Sequence, residues 1–151
     1  MTLLTAQNLG VTLGDDGLLA DLARGGLVLA HSTVLPQTAE RVAEAATARG
    51  IEVLDACVTG GADPAAQRRL VYMVGGSEAG FAKARPYFEA TTDVAPIYAG
   101  PLGCGAKLKL CNNLNTNILF AAAQEATSLA RASGLSPELL EQVCRANGQF
   151  T

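Results

Sequence analysis

The sequence predicts an α/β fold in which strands and helices alternate along the chain. Three observations carry this. Residues 26–30, 51–58, 70–74 and 94–99 are short apolar runs of strand length. The segments after the first and third runs carry helix start and stop signals. From Cys104 to Ala132 there is no proline, and no glycine after Gly105, so one long helix is expected to follow the last strand.

In chain order, Gly-Leu-Val-Leu-Ala at 26–30 reads as the first strand. Ser32 and Thr33 follow and are candidate caps for the next helix. Residues 38–49 place Val42, Ala45 and Ala46 on one helical face, and Gly50 closes the helix at its C′ position. Residues 51–58 and 70–74 are the second and third strands. Thr59-Gly60-Gly61-Ala62-Asp63-Pro64 between them reads as a loop. Ser77 caps a helix with Glu78 in its first turn, expected to end or kink at Pro86. Residues 94–99 are a fourth strand, ended by Gly100-Pro101-Leu102-Gly103. Gly134 stops the long helix, and Ser136-Pro137-Glu138 supplies the cap, N1 proline and acidic first turn of a last one running to Ala146. The opening residues show no strand, glycine-rich turn and helix of the kind that begins a dinucleotide fold. The last helix finds no partner within the chain to cover it.

Composition narrows the function classes. Hydrophobic residues make up 49% of the 151 and charged residues 17%, which suits a folded globular protein. The apolar runs are too short to span a bilayer. Met1 to Thr5 has neither a basic n-region nor a long apolar h-region, so a cytoplasmic location is expected. Net charge is −3, basic residues are scattered apart from Arg68-Arg69, and Trp is absent, which argues against nucleic acid. Cys57, Cys104, Cys111 and Cys144 form no C-x-x-C pair, and His31 is the only histidine. No metal site is therefore expected; reduced, buried thiols and a structural His31 are.

Three segments are candidates for chemistry, and one of them is set aside. Thr59-Gly60-Gly61 follows a buried strand, where glycines let backbone N–H groups approach an anion and the Thr59 hydroxyl adds a donor; a plain tight turn is the alternative. Gly100 to Gly105 has the order G-x-x-G-x-G, not the dinucleotide fingerprint G-x-G-x-x-G, so its glycines are read as a close approach to another segment. Lys109 and Asn113 are one helical turn apart. A lysine packed among Leu108, Leu110 and Leu114 is partly desolvated and gives up its proton more readily, while Lys107 is the ordinary solvated alternative.

Taken together these segments resemble the β-hydroxyacid dehydrogenase family, of the 3-hydroxyisobutyrate dehydrogenase type. His31-Ser32-Thr33-Val34-Leu35-Pro36 is similar to its S-T-x-x-P segment. Residues 55–76 are similar, without a gap, to D-A-P-V-S-G-G…M-V-G-G. Residues 100–113 are similar to G-x-x-G-x-G-x-x-x-K-x-x-N-N, and Glu125-Ala126 with Gly134-Leu135-Ser136 fits its helix ending in a G-L turn. The likeness covers nearly the whole chain from about Gly17. It implies the C-terminal part of a Rossmann-like NAD or NADP domain over 1–103. A long interdomain helix and the start of an all-helical domain would follow over 104–151. It implies hydride transfer between the nicotinamide and a small β-hydroxyacid, and a homo-oligomer. By position, Lys109 becomes the general acid/base and Asn113 its neighbour in the substrate site. Thr59, Gly60 and Gly61 become the carboxylate cradle, and Thr33 a contact near the nicotinamide.

The chain departs from the family at Cys57, commonly proline, and Thr59, commonly serine. Asp63-Pro64 and Arg68 stand where small residues or glycine are usual, which is expected to alter the substrate approach. The glycine-rich pyrophosphate turn is not in the chain, so nucleotide binding by this chain alone is expected to be weak. Two other readings compete: a catalytically inactive remnant serving as an oligomerising or binding module, and a relative of imine reductases or 6-phosphogluconate dehydrogenase.

Overall fold

The structure, a computed structural model, describes residues 5–148. The expectation that no export signal is present falls at Met1 to Leu4, outside the described residues. The chain divides into two compact units, Met1–Cys111 and Asn112–Thr151.

The first unit opens with α1 (Thr5–Leu13) and α2 (Leu18–Asp21), neither of which was expected. Gly10, Gly14 and Gly17 interrupt any helical pattern there. The helices form because Leu9, Leu13 and Leu19 pack on a core of Val28, Val42, Ala46, Ile51 and Val53; burial overrides propensity. β1 (Leu27–Ala30) leads to α3 (Pro36–Ala48), β2 (Glu52–Thr59), α4 (Ala62–Ala66), β3 (Val71–Gly75), α5 (Glu78–Thr91), β4 (Ile97–Gly100) and α6 (Cys104–Ala132).

The sheet order is β1-β2-β3-β4. β1 and β2 are parallel with Ala30 opposite Asp55. β2 and β3 are antiparallel with Cys57 opposite Met73 and Thr59 opposite Val71. β3 and β4 are parallel, with an irregularity at Val74/Gly75. Residues 53–57 of β2 are all buried, as expected of a strand covered on both faces. Val53 belongs to the core that receives Val42 and Ala46 of α3, whereas Leu54 and Ala56 belong to a second core with Ala84 and Phe88 of α5. This is the strand alternation at work. Phe88 is fully buried, and burying such a side chain contributes roughly 1.5–3 kcal/mol.

Several local expectations are corrected. α3 starts at Pro36, two residues earlier than read, and its N-cap is Leu35 with no side-chain bond, so neither Ser32 nor Thr33 caps it. The 59–64 loop contains the start of α4; Pro64 is tolerated because it lies in the first turn. α5 continues through Pro86 to Thr91, since Ala84 and Phe88 anchor it on both sides while Pro86 faces solvent. β4 begins only at Ile97, because Pro96 has no N–H for the ladder. Cys57 alone is fully buried; Cys111 is exposed, and Cys104 and Cys144 are half-buried, all four free.

The second unit comprises the rest of α6 and α7 (Pro137–Ala146). The Ser136 hydroxyl accepts from the Leu139 amide, and Gly134 sits at φ +75, the stop and start read from sequence. A groove lined by Ala123, Ala126, Pro137 and Leu140 separates the helices. Leu114, Ile118, Leu119, Phe120, Leu129, Leu139 and Val143 are all more than half exposed. Among the described residues no helix is long and apolar enough to cross a membrane.

Candidate active site at the end of the second strand

β2 runs into Gly60 and Gly61, whose φ values of +135 and +83 lie where L side chains are strained. A Cβ at Gly60 would press on Leu70 and Pro64 at 3.1 Å, while Gly61 has open space beside it. Thr59 is half-buried at the strand end. Arg68 does not reach this turn. Its guanidinium donates to the carbonyls of Glu89 and Ala90 at the end of α5, at 2.9 and 2.5 Å, and pairs with Asp93 at 3.0 Å. The expected interference of Arg68 with substrate is therefore not supported; its charge closes a helix C-terminus instead.

Two residues before Thr59, the Cys57 thiol donates to the Ser32 carbonyl at 3.6 Å. This brings the loop after β1, with half-buried Thr33 next in sequence, against the carboxyl end of β2. Burial pushes the Cys57 thiol up to about 11; the Asp55 charge adds to this and the Lys109 charge opposes it. Lys109 is thus close enough for its charge to bear on Cys57.

Lys109 itself is only 8% exposed, whereas Lys107 is exposed. The expected reason was wrong: Leu108 and Leu110 are 37% and 38% exposed and do not enclose it, because helix neighbours at i±1 point elsewhere. The start of α6 lies against the sheet. Gly105, one turn earlier, lies so close that a Cβ there would strike the carbonyls of Asp55 and Met73. The close approach expected for this glycine segment is the one found. Among the described residues no carboxylate lies within ion-pair distance of the Lys109 amine. Asn113 is half-buried on α6 but belongs to the second unit.

Asp55 is a site residue that its motif alone does not mark. Its carboxylate is 2% exposed and accepts from the Gly103 amide at 2.9 Å and the Ala106 amide at 2.7 Å. Burial raises its pKa above the usual carboxylate range, and the Ala106 and Gly103 amides hold it partly back. An acid inside an apolar run was the available signal, since such a group is rarely buried without partners. His31 is held by the Ala56 carbonyl at 2.7 Å and the Tyr87 hydroxyl at 3.0 Å, and stacks on Tyr87. A carbonyl only accepts, so Nδ1 carries a proton and donates it to the Ala56 carbonyl.

What results is a buried lysine residue with no carboxylate partner among the described residues, whose charge bears on Cys57 of β2, and a glycine turn leaving the same strand. Open α/β sheets bind ligands beyond such strand ends, and the amine can hold or release a proton at a ligand oxygen.

A family model for the NAD binding domain of 6-phosphogluconate dehydrogenase matches residues 1–100, so the likeness begins well before Gly17. The chain is 44% identical over 133 residues to 3-hydroxyisobutyrate dehydrogenase of Pseudomonas aeruginosa, covering 88% of this chain and 44% of the relative. It is 43% identical over 136 residues to the NAD-dependent L-serine dehydrogenase of the same organism, covering 90% and 45%. The solved Mycobacterium tuberculosis 3-hydroxyisobutyrate dehydrogenase with L-serine superimposes with a TM-score of 0.85 at 31% identity, covering 100% of this chain and 50% of that one. The chain spans about half the length of the curated relatives it matches. The matched model, the identities and the superposition agree: the chain belongs to the β-hydroxyacid dehydrogenase family and carries its Rossmann-like NAD-binding region.

Proposed function

We propose that the protein acts as an NAD(P)-dependent oxidoreductase of the 3-hydroxyisobutyrate dehydrogenase type on a small β-hydroxyacid. The observation that carries this is Lys109, a buried residue with no carboxylate partner among the described residues, whose charge bears on Cys57 near the end of β2. In this reading residues 1–103 serve the nucleotide, and 104–151 supply the long helix and the start of a helical domain. Thr33, in the loop against Cys57, fits the nicotinamide side of the site. A bound nicotinamide would supply the hydride acceptor or donor for the carbinol carbon. Lys109 takes the hydroxyl proton during oxidation and gives it back during reduction. Thr59, Gly60 and Gly61 hold the substrate carboxylate through a hydroxyl and backbone N–H groups, and Asn113 hydrogen-bonds the substrate without adding charge.

The test follows nicotinamide reduction in a form that also carries a G-x-G-x-x-G turn, with 3-hydroxyisobutyrate, L-serine and the corresponding alcohols lacking the carboxylate. Turnover of the acids but not of the alcohols is expected. Exclusive reduction of imines, or no turnover at all, overturns the reading.

Four free thiols suit a reducing compartment, and we place the protein in the cytoplasm. The exposed apolar side chains of the second unit, Phe120 at 66% and Leu129 at 68% among them, are proposed to pack against a second copy. Light scattering at micromolar concentration should report a dimer or larger, and a well-behaved monomer rules this out.

A further inference from the structure

We infer that Asp55 is a positioning residue for Lys109, acting through the first turn of α6. The role rests on the dehydrogenase reading, but the geometry stands apart from it. The first amides of a helix have no partners within the helix, and here two of them, Gly103 just before α6 and Ala106 in its first turn, donate to one buried carboxylate on β2. The carboxylate is also where a helix N-terminus is best served by negative charge. Two glycines make the seat possible: a Cβ at Gly75 would strike the Asp55 carboxylate, and one at Gly105 would strike the strand carbonyls. The helix start is therefore held by backbone contact and by charge together. Lys109 follows Gly105 by four residues, about 6 Å of rise, so small shifts of the seat carry directly to its amine. Cys57, two residues after Asp55 on the same face of β2, is the group the Lys109 charge reaches. Asp55 thus sets where Lys109 stands over the strand end without touching substrate.

The experiment uses this chain and two readouts that need no activity. In the parent, hydrogen exchange at the Gly103 and Ala106 amides should be as slow as in β2; fast exchange there overturns the inference without any variant. Acetylation of the Lys109 amine, followed by mass spectrometry, should then rise at least about tenfold in Asp55→Asn, the order expected for losing a bond to a charged group. Asp55→Ala should go further if it folds. Arg68→Ala, which loosens the end of α5, should leave Lys109 labelling unchanged. Parental labelling in Asp55→Asn, or equal acceleration in Arg68→Ala, overturns the proposal. In a form carrying the glycine-rich turn, Asp55→Asn should lower kcat with KM for the hydroxyacid unchanged, since Thr59 to Gly61 do not move. A KM rise with kcat kept also overturns it. The predicted labelling without turnover in any form would count against the dehydrogenase reading alone.

Discussion

Lys109→Ala is expected to lower kcat by at least about a hundredfold, the lower range for losing a general acid/base, while Lys107→Ala stays near the parent value. Removing a hydride from a carbinol carbon leaves a hydroxyl proton, and the reverse reaction needs an acid at the same oxygen. Lys109 is 8% exposed and has no carboxylate within ion-pair distance among the described residues; Lys107, two residues away, faces solvent. Two further variants separate chemistry from packing. Lys109→Met keeps most of the buried volume and should be as slow as alanine. Lys109→Arg keeps the charge but cannot release its proton near neutrality, so it should not restore turnover. Steady-state rates in a form with the glycine-rich turn decide the matter. Near-normal turnover in Lys109→Ala, or collapse in Lys107→Ala, puts the proton step on another residue.

Gly105→Ala is expected to cost more than any glycine substitution that only meets an unfavourable φ. The added carbon would meet the Met73 carbonyl at 2.6 Å and the Gly75 amide at 2.8 Å, besides the Asp55 carbonyl. All three are backbone atoms, so nothing flexible can move aside and the helix start must lift. The cost should be about 3 kcal/mol, the upper end for overpacking, out of a typical 5–15 kcal/mol of total stability. Gly25→Ala is the comparison. Its φ is +82 and its Cβ meets nothing within 4 Å, so only left-handed strain applies, roughly 1–2 kcal/mol. Denaturant midpoints of both variants against the parent test this. Equal losses at the two positions would mean α6 is not seated as tightly as its contacts indicate.

Where a residue acts through its neighbours in sequence, the chain could be read. The cap at Ser136, the stop at Gly134 and the long span of α6 rest on local rules and were legible. The central strand was legible because burial on both faces leaves a continuous apolar run. What failed depended on partners distant in sequence. Lys109 is buried as expected, but the leucines beside it in sequence do not enclose it, and the helix start that carries it is seated by Gly105 against the strand backbones. Arg68 was judged by its neighbours at the glycine turn, although its guanidinium reaches residues more than twenty positions away. Asp55 looked like part of a motif; only the fold shows it binding amides 48 and 51 residues downstream. α1 and α2 are held by packing against a core their own sequence does not announce. For Thr59, Gly60, Gly61 and Thr33 the structure adds location; their roles follow from the proposed chemistry.

The strand order has a bearing on how the chain acquires its shape. Every strand pairs with the one next to it in sequence, so the sheet can zip up from contacts of modest separation, which favours rapid folding. The bonds from Asp55 to Gly103 and Ala106 close far longer loops, and long loops cost more chain entropy before they are rewarded. Docking of α6 onto β2 is therefore expected to be a late event, following a sheet already formed. During synthesis, β2 would wait with an unpartnered buried acid until some fifty more residues had emerged. A chain caught in that interval would hold an assembled sheet and no placed lysine.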